Sequence, residues 1–99
     1  MYMRFELSNG QWLELKGSVT WGERRRIIAS NPYALHDKPN LDEQMSWSLG
    51  IIKGLIINKS EGFVTEGMED NLTIEEGEKL EDYAMKVYGL RGKDEKKTS

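Results

Sequence analysis

Side chains that could do chemistry are scarce in this 99-residue sequence, which contains one histidine and no cysteine. The histidine, His36, is followed by Asp37, and such a pair could act as a general base with an orienting carboxylate. Adjacent side chains rarely face each other, however, and no nucleophile is implied nearby, so we interpret His36 as a loop residue. The lack of cysteine removes disulfides, thiolate zinc sites, iron–sulfur clusters and thiol catalysis. We therefore predict no catalytic residue and no enzymatic activity.

Two further patterns match ligand sites only in part. The segment 69–71, Glu-Asp-Asn, supplies oxygen ligands in a row, but the spacing of a calcium loop and its terminal glutamate are missing. The glycines of the first quarter of the chain fit neither a P-loop nor a dinucleotide-binding fingerprint. We interpret these patterns as a solvated turn and as breaks between elements, and we predict no metal and no cofactor.

A run of three arginines, Arg24, Arg25 and Arg26, is the strongest candidate for phosphate binding. Against this role, Glu23 adjoins the run, no aromatic residues are interleaved with it, and 17 acidic residues outnumber 14 basic ones. We predict an ion-pairing, solvated or protein-facing helix here and do not expect nucleic acid as a partner. A small nucleic-acid-binding phage or bacterial regulator that uses Arg24 to Arg26 remains the alternative function.

The tryptophans favour protein–protein contact. Trp12, Trp21 and Trp47 are more than a core of this size easily hides, and tryptophan and arginine dominate binding hot spots. The residues predicted to contact a partner are Trp47, Ile51, Leu55, Trp12, Tyr2, Arg24, Arg25 and Phe63.

The N-terminal residues are predicted to form a β-hairpin. Apolar and polar residues alternate through residues 2–16, which is typical of strands. A two-residue Asn-Gly turn would place Leu13 on the polar side. A loop of residues 8–10, with Gly10 in the left-handed region, pairs Phe5 with Leu13 and keeps one apolar face. We predict the hairpin with the three-residue loop, and we expect its apolar face to be covered by helices or by strands of another subunit.

Three capping boxes predict three helix starts: Thr20 with Glu23, Asn40 with Glu43, and Thr73 with Glu76. The first helix should stop near Asn31, because Pro32 disfavours helical geometry before it. A loop over residues 31–39 should follow, then a helix over 41–57. The last helix should end near Tyr88 in a Schellman motif.

The predicted 41–57 helix carries two apolar stripes. One consists of Leu41, Met45, Leu49, Ile52 and Ile56, and the other of Trp47, Ile51 and Leu55. We expect the hairpin and the flanking helices to cover the first stripe. The second is then expected to contact a partner chain, unless Phe63 and its connector fold over it. We interpret Gly50 and Gly54 as admitting a neighbouring element, with a kink or an early helix end as the alternative.

These elements predict a helix-dominated α+β fold, an N-terminal β-hairpin packed on three helices. A single domain should span residues 1–90 and a disordered C-terminal tail residues 91–99. No apolar run approaches the roughly 20 residues that span a membrane, and no secretory signal is present, so we expect a cytoplasmic protein without membrane association. The uncovered hairpin and stripe also lead us to expect a homo-oligomer.

The order of short motifs resembles that of the small tail assembly chaperones of long-tailed bacteriophages. The segments that carry the resemblance are 5–11, 19–26, 55–60 and 72–76. The resemblance implies a non-catalytic protein of the host cytoplasm that coats the tape measure protein and recruits tail-tube subunits. It also implies that some copies are made with a C-terminal extension by ribosomal frameshifting, with which a solvated 91–99 tail is compatible.

Overall fold

The computed structural model describes residues 2–35 and 37–90. The elements in order are β1 (Tyr2–Glu6), β2 (Trp12–Lys16), α1 (Trp21–Ala29), α2 (Pro32–Leu35), α3 (Leu41–Lys53), β3 (Ile56–Lys59), a 3-10 helix (Met68–Asn71) and α4 (Ile74–Val87). The predicted α+β fold, with an N-terminal hairpin and three main helices, is confirmed. A third strand and a one-turn helix were not predicted. His36 and the predicted 91–99 tail lie outside the described residues.

Strands β1 and β2 form the hairpin that the register argument predicted. Phe5 pairs with Leu13, and the Leu7 N–H donates to the main-chain oxygen of Gln11 at 2.8 Å. Gly10 has φ of +89°, the left-handed geometry that a three-residue loop with a G1 bulge requires. The apolar side chains of both strands therefore share one face.

Residues 54–59 correct the predicted 41–57 helix. α3 ends at Lys53 with Gly54 as its C-cap, and β3 pairs antiparallel with β2 to give the strand order β1-β2-β3. The Lys16 N–H donates to the main-chain oxygen of Leu55 at 2.9 Å, so the chain is already bound to the sheet there. Two β-branched isoleucines at the start of β3 suit this pleated position. The early helix end, considered above as the alternative, is what the structure shows.

The predicted loop between α1 and α3 contains the single turn α2. The side-chain oxygen of Asn31 accepts a hydrogen bond of 2.8 Å from the Tyr33 N–H, and Pro32 occupies the first helical position, where its missing N–H costs nothing. This turn places the Tyr33 ring beside α3.

The three predicted helix starts and the predicted end of the last helix are confirmed. All three capping boxes are formed, with reciprocal hydrogen bonds at Thr20 and Glu23, at Asn40 and Glu43, and at Thr73 and Glu76. After α4 the Leu90 N–H donates to Met85 at 2.8 Å and the Gly89 N–H to Lys86 at 3.0 Å, which are the two bonds of a Schellman motif.

The core lies between the inner face of the sheet and helices α3 and α4. Its largest fully buried side chains are Leu13, Leu15, Ile51, Leu55, Met68 and Leu80. Phe63 packs into the same cluster from the connector after β3. Among the described residues, no helix is both long and apolar enough to cross a membrane.

Candidate protein-interaction surface

An uncovered row of apolar side chains runs along α3. Leu41, Met45 and Leu49 recur every fourth residue, so they lie on one side of the helix. Leu41 is 69% exposed and Met45 58% exposed, and Leu49 is half-buried. We call this row the α3 surface. Apolar rows of this kind mark contact sites more often than isolated exposed residues do.

Two grooves flank the α3 surface. The α3–α4 groove, of about 300 Å³, has apolar walls from Met45, Leu49, Ile52, Leu72 and Ile74. The α2–α3 groove, of about 400 Å³, is lined by Pro32, Tyr33, Leu41, Met45, Trp47 and Met85, among others. Met45 belongs to both, so the grooves and the α3 surface form one continuous apolar region.

The edge of the α3–α4 groove is acidic. Glu69, Glu78 and Glu81 line it, and none of its described lining residues is basic. The carboxylate of Glu81 accepts a hydrogen bond from the Ser48 hydroxyl on α3, which holds it across the groove. A ligand for this groove would therefore combine an apolar side chain with positive charge.

Two helical glycines border open space. An added Cβ would meet nothing within 4 Å at Gly50 on α3 or at Gly77, which lines the α3–α4 groove. Internal packing therefore does not require glycine at either position, although each costs up to about 1 kcal/mol relative to alanine. At Gly54, in contrast, the Cβ would lie 3.0 Å from the Tyr88 hydroxyl. The prediction that both α3 glycines admit a neighbour is thus right for Gly54 and wrong for Gly50.

The structure reverses the predicted roles of the two stripes only in part: Ile52 of the first stripe is buried as predicted, whereas Leu41 and Met45 of that stripe are exposed. Ile51, Leu55 and Phe63, predicted to contact a partner, are buried in the core and are not available at the surface. The connector does fold over the second stripe, which was the stated exception. Trp47 is half-buried, and its indole N–H donates to the main-chain oxygen of Ile27 at 3.1 Å, which joins α3 to α1.

Tyr2 and Trp12, two other predicted contact residues, lie on the outer face of the sheet. The Arg4 guanidinium covers the Trp12 ring at 4.1 Å from its centroid, and Tyr2 is exposed. The structure therefore does not bring these residues together with the α3 surface.

The arginine run diverges instead of forming one basic face. Arg24 is half-buried; its Nε lies 3.6 Å from the position of an added Cβ on Gly89, and this buried atom has no described hydrogen-bond partner. Arg26 folds back over Gly22, and Arg25 is exposed. The side chains thus spread around α1, as consecutive residues on a helix must.

Helix α1 carries a second uncovered region, which we call the α1 stripe: Trp21, Arg25 and Ile28. Their spacing of four and three places them on one side of the helix. Trp21 is 83% exposed and Ile28 43% exposed, and none of the residues of α1 is fully buried. Of the three, only Arg25 was among the predicted contact residues.

Two of the most exposed apolar residues were not among the predicted contact residues. Trp21 and Ile74, the latter 82% exposed, each directly follow a threonine N-cap, Thr20 and Thr73. The side chain at the first helical position projects away from the following turns. The cap signal itself could therefore have identified both as surface residues.

Nearby hydrogen-bond donors lower the pKa values of two glutamate carboxyl groups. A hydrogen bond from Lys16, followed by one from the Thr20 N–H, lowers the pKa of Glu23 to about 2. The N–H groups of Thr73 and Ser8 lower the pKa of Glu76 in the same way. The shift of Glu23 thus arises from its ion pair and its helix cap, and that of Glu76 from main-chain hydrogen bonds at its helix cap and at the hairpin loop. No group of three or more candidate metal ligands occurs in the described part of the chain.

The geometry thus presents two apolar regions, one with an acidic edge and one with an arginine. Comparison of the chain with protein-family models, with curated proteins and with solved structures gives no match.

Proposed function

We propose that this protein is a non-catalytic assembly factor that binds other proteins through the α3 surface and its two grooves. The observation that carries the proposal is the exposure of Leu41 and Met45 within an amphipathic helix whose other face fills the core. Covering such side chains releases about 25 cal/mol per Å² of apolar area. A partner helix laid along α3 would do this, with its apolar residues in the grooves.

The more specific proposal is that the protein is a tail assembly chaperone of a long-tailed bacteriophage. Its partners would be the tape measure protein and the tail-tube subunits, and it would work in the host cytoplasm. The motif order described above supports this function, and a small helical domain with an uncovered apolar row suits a chaperone that holds helical segments.

Co-purification with the tape measure and tail-tube proteins tests the proposal. We expect the wild type to retain one of them and Met45→Glu to weaken the complex roughly tenfold or more, since a charge would enter the apolar contact. Val64→Glu is the matched control, because Val64 is also exposed but lies outside both grooves. Equal retention by wild type and Met45→Glu would exclude the α3 surface as the contact.

The nucleotide sequence around the gene tests the specific assignment separately. A tape measure reading frame downstream and a slippery heptamer near the stop codon would support it. A neighbourhood of regulatory genes would contradict it.

The divergence of the arginine run argues against the alternative of nucleic-acid binding. We expect titration with duplex DNA at two salt concentrations to show no salt-dependent association. Binding that weakens with salt and is lost on Arg25→Glu would restore that alternative.

A further inference from the structure

We propose that copies of this chain associate head to tail, with the α1 stripe of one copy seated in the α3–α4 groove of the next. The stripe joins an exposed tryptophan to an arginine, and the groove joins apolar walls to an acidic edge. Each surface therefore supplies what the other lacks.

The α1 stripe has no cover within its own chain. Trp21 and Ile28 are exposed on either side of Arg25. None of the ion pairs between described residues includes Arg25. The charge of Glu23, on the same helix, is already paired with Lys16 at 2.9 Å. The stripe is thus apolar with a net positive charge, and it consists largely of residue types that dominate binding hot spots.

The α3–α4 groove fits such a stripe in shape and charge. Its volume of about 300 Å³ is on the scale of a single large side chain, and the missing side chain at Gly77 leaves room on the α4 wall. Glu78 is exposed at its edge and has no described ion-pair partner. A tryptophan inserted between Leu49 and Ile74 would bring a neighbouring arginine toward this carboxylate.

Charge also decides which surfaces pair. Two grooves placed face to face would oppose their acidic edges, and two α1 stripes would oppose their arginines; both arrangements bring like charges together. Only the pairing of stripe with groove matches opposite charges. In the head-to-tail arrangement proposed here the interface is heterologous, so the assembly keeps one free stripe at one end and one free groove at the other, and association continues into a chain or closes into a ring.

The inference goes beyond the proposed function, although it uses one of the same grooves. Partner binding along α3 does not need the α1 stripe. Arg25→Glu should therefore weaken self-association roughly tenfold or more and leave co-purification of the partner intact, which separates the failure of one proposal from failure of the other.

The experiment compares charge reversals of the full chain by sedimentation velocity and light scattering from low to high micromolar concentration. We expect the wild type to form species larger than a dimer. Arg25→Glu alone or Glu78→Arg alone should lower the affinity of self-association roughly tenfold or more. Lys59→Glu, an exposed reversal away from both surfaces, should behave as the wild type. Trp21→Ala should also prevent association without changing the unfolding midpoint, because the ring is exposed in the monomer.

Mixing the two reversed variants gives the decisive result. Glu78→Arg keeps a normal stripe and Arg25→Glu keeps a normal groove, and the two substituted side chains also carry opposite charges. Both contacts are therefore restored in an equimolar mixture, which should form species larger than a dimer although each variant alone associates weakly. A wild type that stays monomeric at high micromolar concentration would overturn the proposal. So would reversed variants that associate as the wild type does, a wild type that stops at dimers, or a mixture that stays monomeric.

Discussion

The hydroxyl of Tyr83 donates a hydrogen bond of 2.8 Å to the main-chain oxygen of Lys16, which ties the middle of α4 to the end of β2. The Phe5 ring of β1 packs edge-on against the same tyrosine, with 5.5 Å between ring centroids. Burial raises the pKa of Tyr83, so its proton stays available for this bond. One side chain thus joins both hairpin strands to the last helix.

Tyr83→Phe should lower the free energy of unfolding by about 1 kcal/mol, because it removes the hydroxyl donor and leaves the carbonyl of Lys16 without this hydrogen bond. Tyr33→Phe is the control, since the Tyr33 ring is exposed. Urea unfolding followed by circular dichroism would measure both. Equal losses for the two variants would show that the Tyr83 bond contributes nothing specific.

The two glycines of the α3 region should respond to alanine in opposite directions. Gly50→Ala should raise the free energy of unfolding by up to about 1 kcal/mol, since it improves helix propensity and meets only open space. Gly54→Ala should lower it by about 1 kcal/mol, because the new methyl group would press on the hydroxyl of the buried Tyr88 side chain. Thermal unfolding of both variants measures the difference. Stabilisation by both would show that the Tyr88 ring moves aside freely.

The two stripes of α3 should separate stability from binding. Ile51→Ala should cost roughly 3 kcal/mol of unfolding free energy, because the side chain is fully buried. Met45→Ala should change it by less than about 0.5 kcal/mol, since Met45 is mostly exposed. Chemical denaturation provides the comparison. A larger loss for Met45→Ala would place the core on the opposite side of α3.

The ion pair of Glu23 predicts a defined acid sensitivity. Because folding lowers the pKa of this carboxyl from 4.5 to about 2, its contribution to stability is present above pH 4.5 and is lost as the pH falls through about 2. Glu23→Gln should therefore be less stable than the wild type at neutral pH, and the gap should close in acid. Urea unfolding at neutral pH and in acid measures the difference in unfolding free energy between Glu23→Gln and the wild type. A gap that does not change with pH would contradict the assignment.

Features that depend on near neighbours in the sequence could be predicted. The capping boxes at Thr20, Asn40 and Thr73 involve residues three apart, and the hairpin register follows from keeping Phe5 and Leu13 on one face. Their energetics are local, so the sequence contains the information that decides them.

The end of α3 and its buried side could not be predicted in the same way. The sequence after Gly50 is apolar enough for a helix or a strand, and the choice depends on the distant bond from Lys16 to Leu55. Both apolar stripes satisfy helical periodicity, and burial of the second depends on Phe63 packing over it. The candidate site was misplaced for the same reason, because the uncovered stripe can be identified only after the long-range contacts are known.

Arg4 on β1 affects whether another strand can pair with the β1 edge of the sheet. Arg4 lies over Trp12 and pairs with Glu6 at 2.8 Å and with Glu14 at 3.8 Å, along a strand that is one edge of the described sheet. A foreign strand that approached this edge would have to strip water from these charges before it gained any main-chain hydrogen bond. The charges on β1 therefore disfavour pairing of another strand with this edge of the sheet.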